Sequence, residues 1–479
     1  MRSLRVARKE SHLRDRVRAF VVREFPVFFA LACWIGALAP LRLPMAVGPV
    51  ALGVALLSRR RVLLIVLGLL AVSVMSFHGR DGLRPIETGS WTGTVELISE
   101  PQFLAGRTQV DVDTRDGRFQ LSLTGANAGL MHRAVAGDHL FVRGSVRPLA
   151  HPERFASRHL RMVLTATSVT LVGHETTWRL PVEMARRAVL RGAESLPEKQ
   201  RPIYAGFVIG DDRGSEESVT QSFEASGLSH LLVVSGENVV FILALVTPLV
   251  SRLKIRARGG VLVAVLVFFA AVAQFEPSVL RATAMAMIAV IGVSQGQPQE
   301  SRRRLATATA LLLVVDPLLV ESFGFRLSVA ATIGITMFGP SLSRHLPGVR
   351  WLRTVLSMTI AAQVAIAPLV IPVFGPLPLA SLPANVLAEP IAGFVMMWGS
   401  SVGLLAGIVG GPIAVMLQIP VRVGVWWIMS VASWCSALPL PRVSLLQVGT
   451  AFLVVMIGFG LRRGLTFKPL TRRSSVSAD

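Results

Sequence analysis

The sequence predicts an α-helical, polytopic membrane protein of about 11–12 spans with one small, OB-like β-barrel domain inserted outside the membrane. Three observations predict it. Long apolar runs recur along the chain, basic residues gather in alternate connecting loops, and between about 78 and 180 the apolar pattern shifts to short alternating stretches.

Composition sets the solvent. Hydrophobic residues make up 52% of the 479 and charged residues 16%, against about 25% charged in a soluble globular chain. Mean hydropathy is +0.59. These values exclude a disordered chain. The formal net charge is +21, almost all from arginine; the lysines are Lys9, Lys199, Lys254 and Lys468. Arginine suits phosphate, but cytoplasmic loop charge accounts for the excess equally well. Cys33 and Cys435 lie far apart in apolar segments, which excludes a disulfide framework and a cysteine zinc site. The first apolar run has no small-residue cleavage site after it, so no cleavable signal is expected.

The chain opens with a basic stretch ending at Arg23, followed by apolar runs at about 25–40, 43–57 and 62–77. Arg59, Arg60 and Arg61 mark the second connection as cytoplasmic, which sets the N-terminus inside and residue 78 outside. The first unit is therefore 1–77.

The second unit, 78–180, reads as a β domain. Its alternating stretches are Trp91–Ser99, Thr108–Asp113, Phe119–Thr124, His139–Val146 and Met162–Val172, separated by turn formers such as Asp116-Gly117 and Gly137-Asp138. Five short strands of this kind suggest a barrel of the oligonucleotide-binding type. Its surface chemistry is divided, with twelve arginines against ten acids and few aromatic rings. A strand-tracking groove needs a basic surface and stacking rings, so a structural role competes with direct binding.

Residues 181–227 read as extracytoplasmic or interfacial amphipathic helices, with a tight turn at Gly210-Asp211, Ser215 as an N-cap and Gly227 as a stop. The fourth unit, 228–461, holds nine apolar runs, near 228–250, 259–275, 278–294, 305–320, 323–339, 354–374, 380–408, 413–436 and 443–461. Basic clusters at 252–258, 302–304, 344–353 and 462–463 alternate with neutral loops, which leaves the 462–479 tail in the cytoplasm of an inner-membrane protein. The Pro- and Gly-rich stretch 380–436 is expected to be broken, re-entrant or interfacial.

The chain shows no HExxH and no GxxxxGK[ST] pattern, so no catalytic residue, metal ligand or cofactor is assigned and a non-enzymatic protein is expected. Polar groups inside apolar runs are more informative, because each costs about 2.5–3.5 kcal/mol at the membrane centre and usually faces a cavity or partner. They include Glu237, Asn238, Arg281, Asp316, Arg326, Gln363, Asn385 and Glu389. As a set they fit a wet internal path. Three local patterns stand out: Gly227-Leu228-Ser229-His230 through Ser235-Gly236; Pro277-Ser278-Val279-Leu280-Arg281-Ala282; and Asp316-Pro317 followed by Gly324-Phe325-Arg326-Leu327-Ser328.

In this order, with Gly210-Asp211, Gln363 and Asn385, these patterns resemble the ComEC family of competence proteins. The resemblance covers 200–400 closely and the N-terminal spans and β domain more weakly. It implies a channel that passes single-stranded DNA across the cytoplasmic membrane during natural transformation. On that reading His230, Ser235, Gly236, Glu237, Asn238, Arg281, Arg326, Gln363 and Asn385 belong to the DNA path or its gate. Gly210, Asp211, Gly227, Pro277, Asp316 and Pro317 form the structural motifs, and arginines of the β domain and of 181–213 form a funnel. Implied partners are single-stranded DNA, membrane lipid, an extracytoplasmic DNA receptor, a helicase-like motor and a separate nuclease.

Three departures from the family pattern stand out. Glu237-Asn238 replaces Leu-His, Arg326 replaces Gln, and no length remains for the metallo-β-lactamase-like domain that many members carry. The added acid and base are expected to approach each other. The rival readings are a small-solute or lipid-linked-precursor transporter and a membrane scaffold for a DNA-uptake complex. A continuous polar tunnel favours the channel, a closed pocket the transporter and an apolar interior the scaffold.

Overall fold

The computed structural model describes residues 23–57, 61–104, 107–131, 134, 136–174, 180–211, 213–232, 234–444, 446, 447 and 450. The basic N-terminal stretch, most of the 443–461 run and the 462–479 tail lie outside the described residues.

The N-terminal region is helical over 23–38 (α1), Val47–Leu57 (α2) and Arg61–Asp81 (α3). The β domain follows, with β1 Gly89–Leu97, β2 Gln102–Leu104, β3 Arg107–Thr114, β4 Gly117–Thr124, β5 Asp138–Pro148 and β6 Leu160–His174. Two short helices interrupt it, α4 Ala126–Leu130 and α5 Pro152–Phe155. The strand order is β1-β5-β6-β4-β3-β2. All pairs are antiparallel except β4–β6, and β1 also meets β3 through Glu96↔Asp113 and Leu97↔Val112. The alternation read from the sequence has a direct cause: Val95, Leu97, Val110, Val112, Phe119, Leu121, Leu140, Val142, Met162 and Leu164 point to one shared core. Trp91 joins it, edge-on to Phe119, with its indole N–H donating to Asp116. Two rings of the domain are thus spent on packing rather than on its surface.

The helices after the β domain are α6 Leu180–Ala193, α7 Arg201–Ile209, α8 Glu217–Ser226, α9 Gly236–Leu249, α10 Ile255–Val272, α11 Pro277–Ser294, α12 Ser301–Val315, α13 Phe323–His345 and α14 Arg350–Phe374. Two-residue strands β7 (Leu377–Pro378) and β8 (Arg442–Val443) pair on either side of α15 Ser381–Trp398, α16 Leu404–Val409 and α17 Gly411–Ser436.

Among the described residues, seven helices are long and apolar enough to cross a membrane: α3, α10, α11, α13, α14, the continuous stretch Ser381–Val409 and α17. The chain is a multi-pass membrane protein. The expected total of about 11–12 also counts the 443–461 run, which lies mostly outside the described residues, and several shorter helices. Helix α9 has 14 residues because Ser235 caps it at the Ser-Gly break. Helix α12 stops at Val315, where Asp316-Pro317 begins a 3-10 turn. The 380–436 stretch is interrupted, as its Pro and Gly content predicts. It forms two long helices meeting at Gly410-Gly411, and its irregularity is a π turn at Gly399–Gly403.

Of the 181–227 helices, α6 and α8 bury one side and leave the other exposed, as amphipathic elements do, whereas α7 is packed inside. In α7 every residue from Ile203 to Ile209 is buried. With Val189 and Phe223, these residues share a core with Ala384, Ala388, Val395, Val421 and Ile428 of α15 and α17. Backbone contact makes this possible. A Cβ on Gly407 of α16 would fall on the Ala188 carbonyl oxygen of α6, and one on Gly192 would meet the Gly403 carbonyl at 2.5 Å. Ser215 does not cap α8; Glu216 holds that position with no side-chain cap bond.

The two ends of the helical body are distinguished by contacts. At one end, Arg23 pairs with Glu300 at 3.0 Å and Arg302 with Glu24 at 2.6 Å. At the other, Arg80 pairs with Glu321 at 2.6 Å, and His159 of the β domain meets Asp316 at 2.9 Å.

Candidate functional site: a polar cavity beneath the β domain

A cavity of about 1350 Å³ begins at the β domain and runs down among α9, α11, α13, α14 and α15. Its upper wall includes Arg118, Arg154, Arg158 and His159 of the β domain, and Glu100, Arg186, Asp211 and Arg213 at the junction. Its lower wall includes His230, Ser235, Gly236, Glu237, Ser278, Ser328, Gln363, Ser381, Asn385 and Glu389. Along α13 the lining runs from Phe323 to Ile335, roughly 18 Å at a rise of about 1.5 Å per residue. That is more than half of a hydrocarbon layer about 30 Å thick. It ends ten residues before His345, and on α14 it ends at Met358, eight residues after Arg350. Near that depth Gly334 of α13 lies against the Ala361 carbonyl and Ala365 of α14.

Local structure explains how the breaks in the sequence line this space. Gly227 ends α8 at φ 76°, and a Cβ there would lie 2.5 Å from that of Ser381. The chain then makes a 3-10 turn at Ser229–Leu231, which carries His230, before Ser235 caps α9 by accepting from the Glu237 N–H. Pro277 takes the first position of α11. Asp316 accepts from the Leu318 N–H at 2.9 Å and fixes the turn at Pro317.

The expected path residues divide into two groups. His230, Ser235, Gly236, Glu237, Gln363 and Asn385 meet in the cavity wall. Gln363 is held there, its amide donating to Ser381 Oγ at 2.8 Å. Asn238 lies behind the wall, 2% exposed, and donates to the Phe207 carbonyl. Arg326 turns to Glu321, with its Nη2 2.8 Å from the carbonyl oxygen and 3.9 Å from the carboxylate. The expected approach of Glu237 and Arg326 is therefore not formed; Glu237 faces Glu389 instead. The physical reason is position: Glu321 immediately precedes α13 and reaches Arg326 locally, whereas Glu237 projects from the first turn of α9.

Arg281 lies directly behind the wall, among residues that line it. It is 8% exposed, donates from Nε to Ser328 Oγ at 2.7 Å and contacts Met285 Sδ at 3.1 Å. Ser278, Leu280, Ser328 and Gly236 around it all line the cavity. Among the described residues no carboxylate comes within 4.0 Å of its guanidinium, as every salt bridge of the helical body engages other arginines. A buried cation without a counter-ion is costly, so an anion arriving from the cavity gains more there than in water.

The junction above was not foreseen. Arg186 of α6 is buried, with its Nη1 donating to the carbonyls of Ile209 (3.1 Å) and Val272 (2.6 Å) and its guanidinium near Glu100 (3.4 Å) and Asp211 (3.8 Å). Arg213 reaches the same two acids, at 3.2 Å and 2.5 Å. Burial raises the Glu100 carboxyl above its usual range, against the pull of both arginines. Arg158 binds Asp111 in the same manner, and burial raises Asp111 too. Arg158, Arg186 and Arg213 of the expected funnel are thus matched by acids. A signal for Arg186 existed: it interrupts the apolar stripe Val182, Val189, Ala193 at helical spacing. Glu100, on a loop, gave none.

Fold and site together define a multi-pass membrane protein with a cavity, lined in part by polar groups, beneath a β domain. More narrowly, the chain belongs to the competence protein family, whose model matches residues 207–468, more than half of its length. It is similar to ComE operon protein 3 of Bacillus subtilis (strain 168), with 24% identity over 251 residues, covering 52% of this chain and 32% of the relative. The matched stretch thus spans about a third of that relative's length. No solved structure matches the chain.

Proposed function

We propose that this protein conducts single-stranded DNA across the cytoplasmic membrane in natural transformation, and that the cavity is the outer part of the path. The observation that carries this reading is a long cavity with polar groups along its wall and Arg281 buried directly behind it. A nucleic-acid strand brings one phosphate per nucleotide, and the unpaired guanidinium is a station for it. Ser235, Ser328, Gln363 and Asn385 offer neutral polar contacts that pass a strand without trapping it, as conduction requires. The cavity volume of about 1350 Å³ exceeds the about 300–1,000 Å³ typical of sites that enclose a small molecule. That difference favours a strand over the small-solute reading.

The remaining assignments follow from the same reading. The ladder β1-β5-β6-β4-β3 returning to β1, with β4–β6 parallel, supports an OB-like barrel above the mouth. The basic loop at Arg302 shares one end of the body with Arg23, which supports a cytoplasmic location for both and an extracytoplasmic β domain. The chain acts as a conduit and not as an enzyme. A cytoplasmic motor, a DNA receptor and a nuclease are separate partners.

The test is uptake of labelled DNA in cells lacking the gene, complemented with the native form, Arg281→Ala or Arg281→Lys at matched membrane levels. The deletion strain takes no intact strand into the cytoplasm. Arg281→Ala falls at least about tenfold, the equivalent of losing about 1.4 kcal/mol of charge-assisted contact, and Arg281→Lys recovers part of it. Normal cytoplasmic uptake in the deletion strain refutes the proposal.

A further inference from the structure

A cavity that admits a polyanion contains two acids facing each other. Glu237, in the first turn of α9, and Glu389, on α15, bring their carboxyl groups within hydrogen-bonding reach, and both line the cavity. Neither takes part in an ion pair among the described residues; the arginines nearest in sequence to their neighbours are engaged elsewhere, Arg281 with Ser328 and Arg326 with Glu321.

A second observation points to what is missing. Asn385 precedes Glu389 by one helical turn, so the two share a face of α15. It is 7% exposed and lines the cavity, and its Oδ1 finds no hydrogen-bond donor. An amide oxygen and a carboxyl pair are acceptors gathered without a cation. Buried acceptors in this state cost free energy that a bound cation would recover.

The donor set selects the cation. All three groups offer oxygen, with no imidazole or thiolate among them, which suits hard cations over zinc or copper. Mg²⁺ in particular keeps several waters and is commonly held by one or two carboxylates together with substrate phosphates, without a complete protein cage. We propose that Glu237 and Glu389, with Asn385 beside them, bind a hard divalent cation of the Mg²⁺ class that bridges the pair to a phosphate of the strand in transit. The two positive charges offset the two carboxylates, which explains how an acid pair is tolerated where phosphates pass. The phosphate bridge rests on the channel reading; the cation site does not.

The experiment uses the full chain, purified in detergent, with Mn²⁺ as a paramagnetic probe for Mg²⁺. Electron paramagnetic resonance separates bound from free Mn²⁺. The expected result is a bound fraction displaced by Mg²⁺, weakened at least about tenfold by Glu389→Gln and by Glu237→Gln, and weakened less by Asn385→Ala. The glutamine variants are nearly isosteric, and elution as the native species shows that they fold. Absence of bound Mn²⁺ at millimolar concentration, or equal binding by native protein and Glu389→Gln, overturns the site. Adding a single-stranded oligonucleotide tightens Mn²⁺ binding if the bridge exists; unchanged affinity overturns the bridge. Loss of uptake in the Arg281→Ala strain is read separately, so failure of the channel reading and failure of the cation site are distinguishable.

Discussion

Replacing Arg186 with alanine removes the side chain that ties the β domain to the helical body. Its side chain is 7% exposed and touches Glu100 from the β1–β2 loop, Asp211 after α7, and the carbonyls of Ile209 and Val272. Removing one member of a buried ion pair costs about 3–5 kcal/mol, because the remaining charge stays buried. Arg213 still reaches both acids, so the lower end, about 3 kcal/mol, is expected. At about 2–4 °C per kcal/mol for a body of this size, the thermal midpoint in detergent falls by about 6–12 °C. Glu100→Gln alone costs less, and the double variant loses less than the sum, since the two side chains interact. A shift under about 2 °C for Arg186→Ala, or additive losses in the double variant, refutes the view that this cluster holds the junction.

Four further outcomes are expected. Gly407→Ala places a methyl on the Ala188 carbonyl and lowers the thermal midpoint by the equivalent of about 1–3 kcal/mol or more, while Gly53→Ala, with open space around it, leaves the midpoint unchanged. Burial raises Glu100 above its ordinary value of 4.5. The folded form therefore binds the extra proton, and stability falls as pH rises from that value through the raised one; a thermal-midpoint series against pH is flatter for Glu100→Gln. Glu216 behaves oppositely: its hydrogen bond to Lys199 lowers it, so its small contribution is lost as pH falls, and Lys199→Gln removes that dependence. Cys33 and Cys435 are fully buried, so a membrane-impermeant maleimide leaves intact cells unlabelled; Arg115→Cys is labelled from outside, and Lys254→Cys only after permeabilisation.

Much of the fold was legible. The strands of the β domain follow from period-two alternation, and the long spans from uninterrupted apolar length. The lengths of single helices were less legible, since an apolar run such as 228–250 or 305–320 does not reveal where its helix starts or stops. Asp316-Pro317 shortens α12 through an N-cap and a missing N–H, and Ser235 caps α9 only once the chain before it has turned. For the site, polar residues within apolar runs marked five members of the cavity wall, Glu237, Asp316, Gln363, Asn385 and Glu389. The same rule gave Asn238 and Arg326, which satisfy themselves on Phe207 and Glu321 behind the wall. Burial cost says that an intramembrane polar group needs a partner; it does not say whether that partner is solvent, ligand or backbone.

The sequence by itself determined the solvent, the alternation of loop charge, the inserted β domain and the positions where backbone must break. These depend on local composition and spacing, which act within a few residues along the chain. Only the tertiary structure decided that α7 lies in the core, that Arg186 links loop, turn and helix end, and that Glu237 faces Glu389 with Arg281 left unpaired. Those outcomes depend on groups far apart in sequence meeting in a low-dielectric interior, where a few ångströms decide whether a charge finds its partner or waits for a ligand.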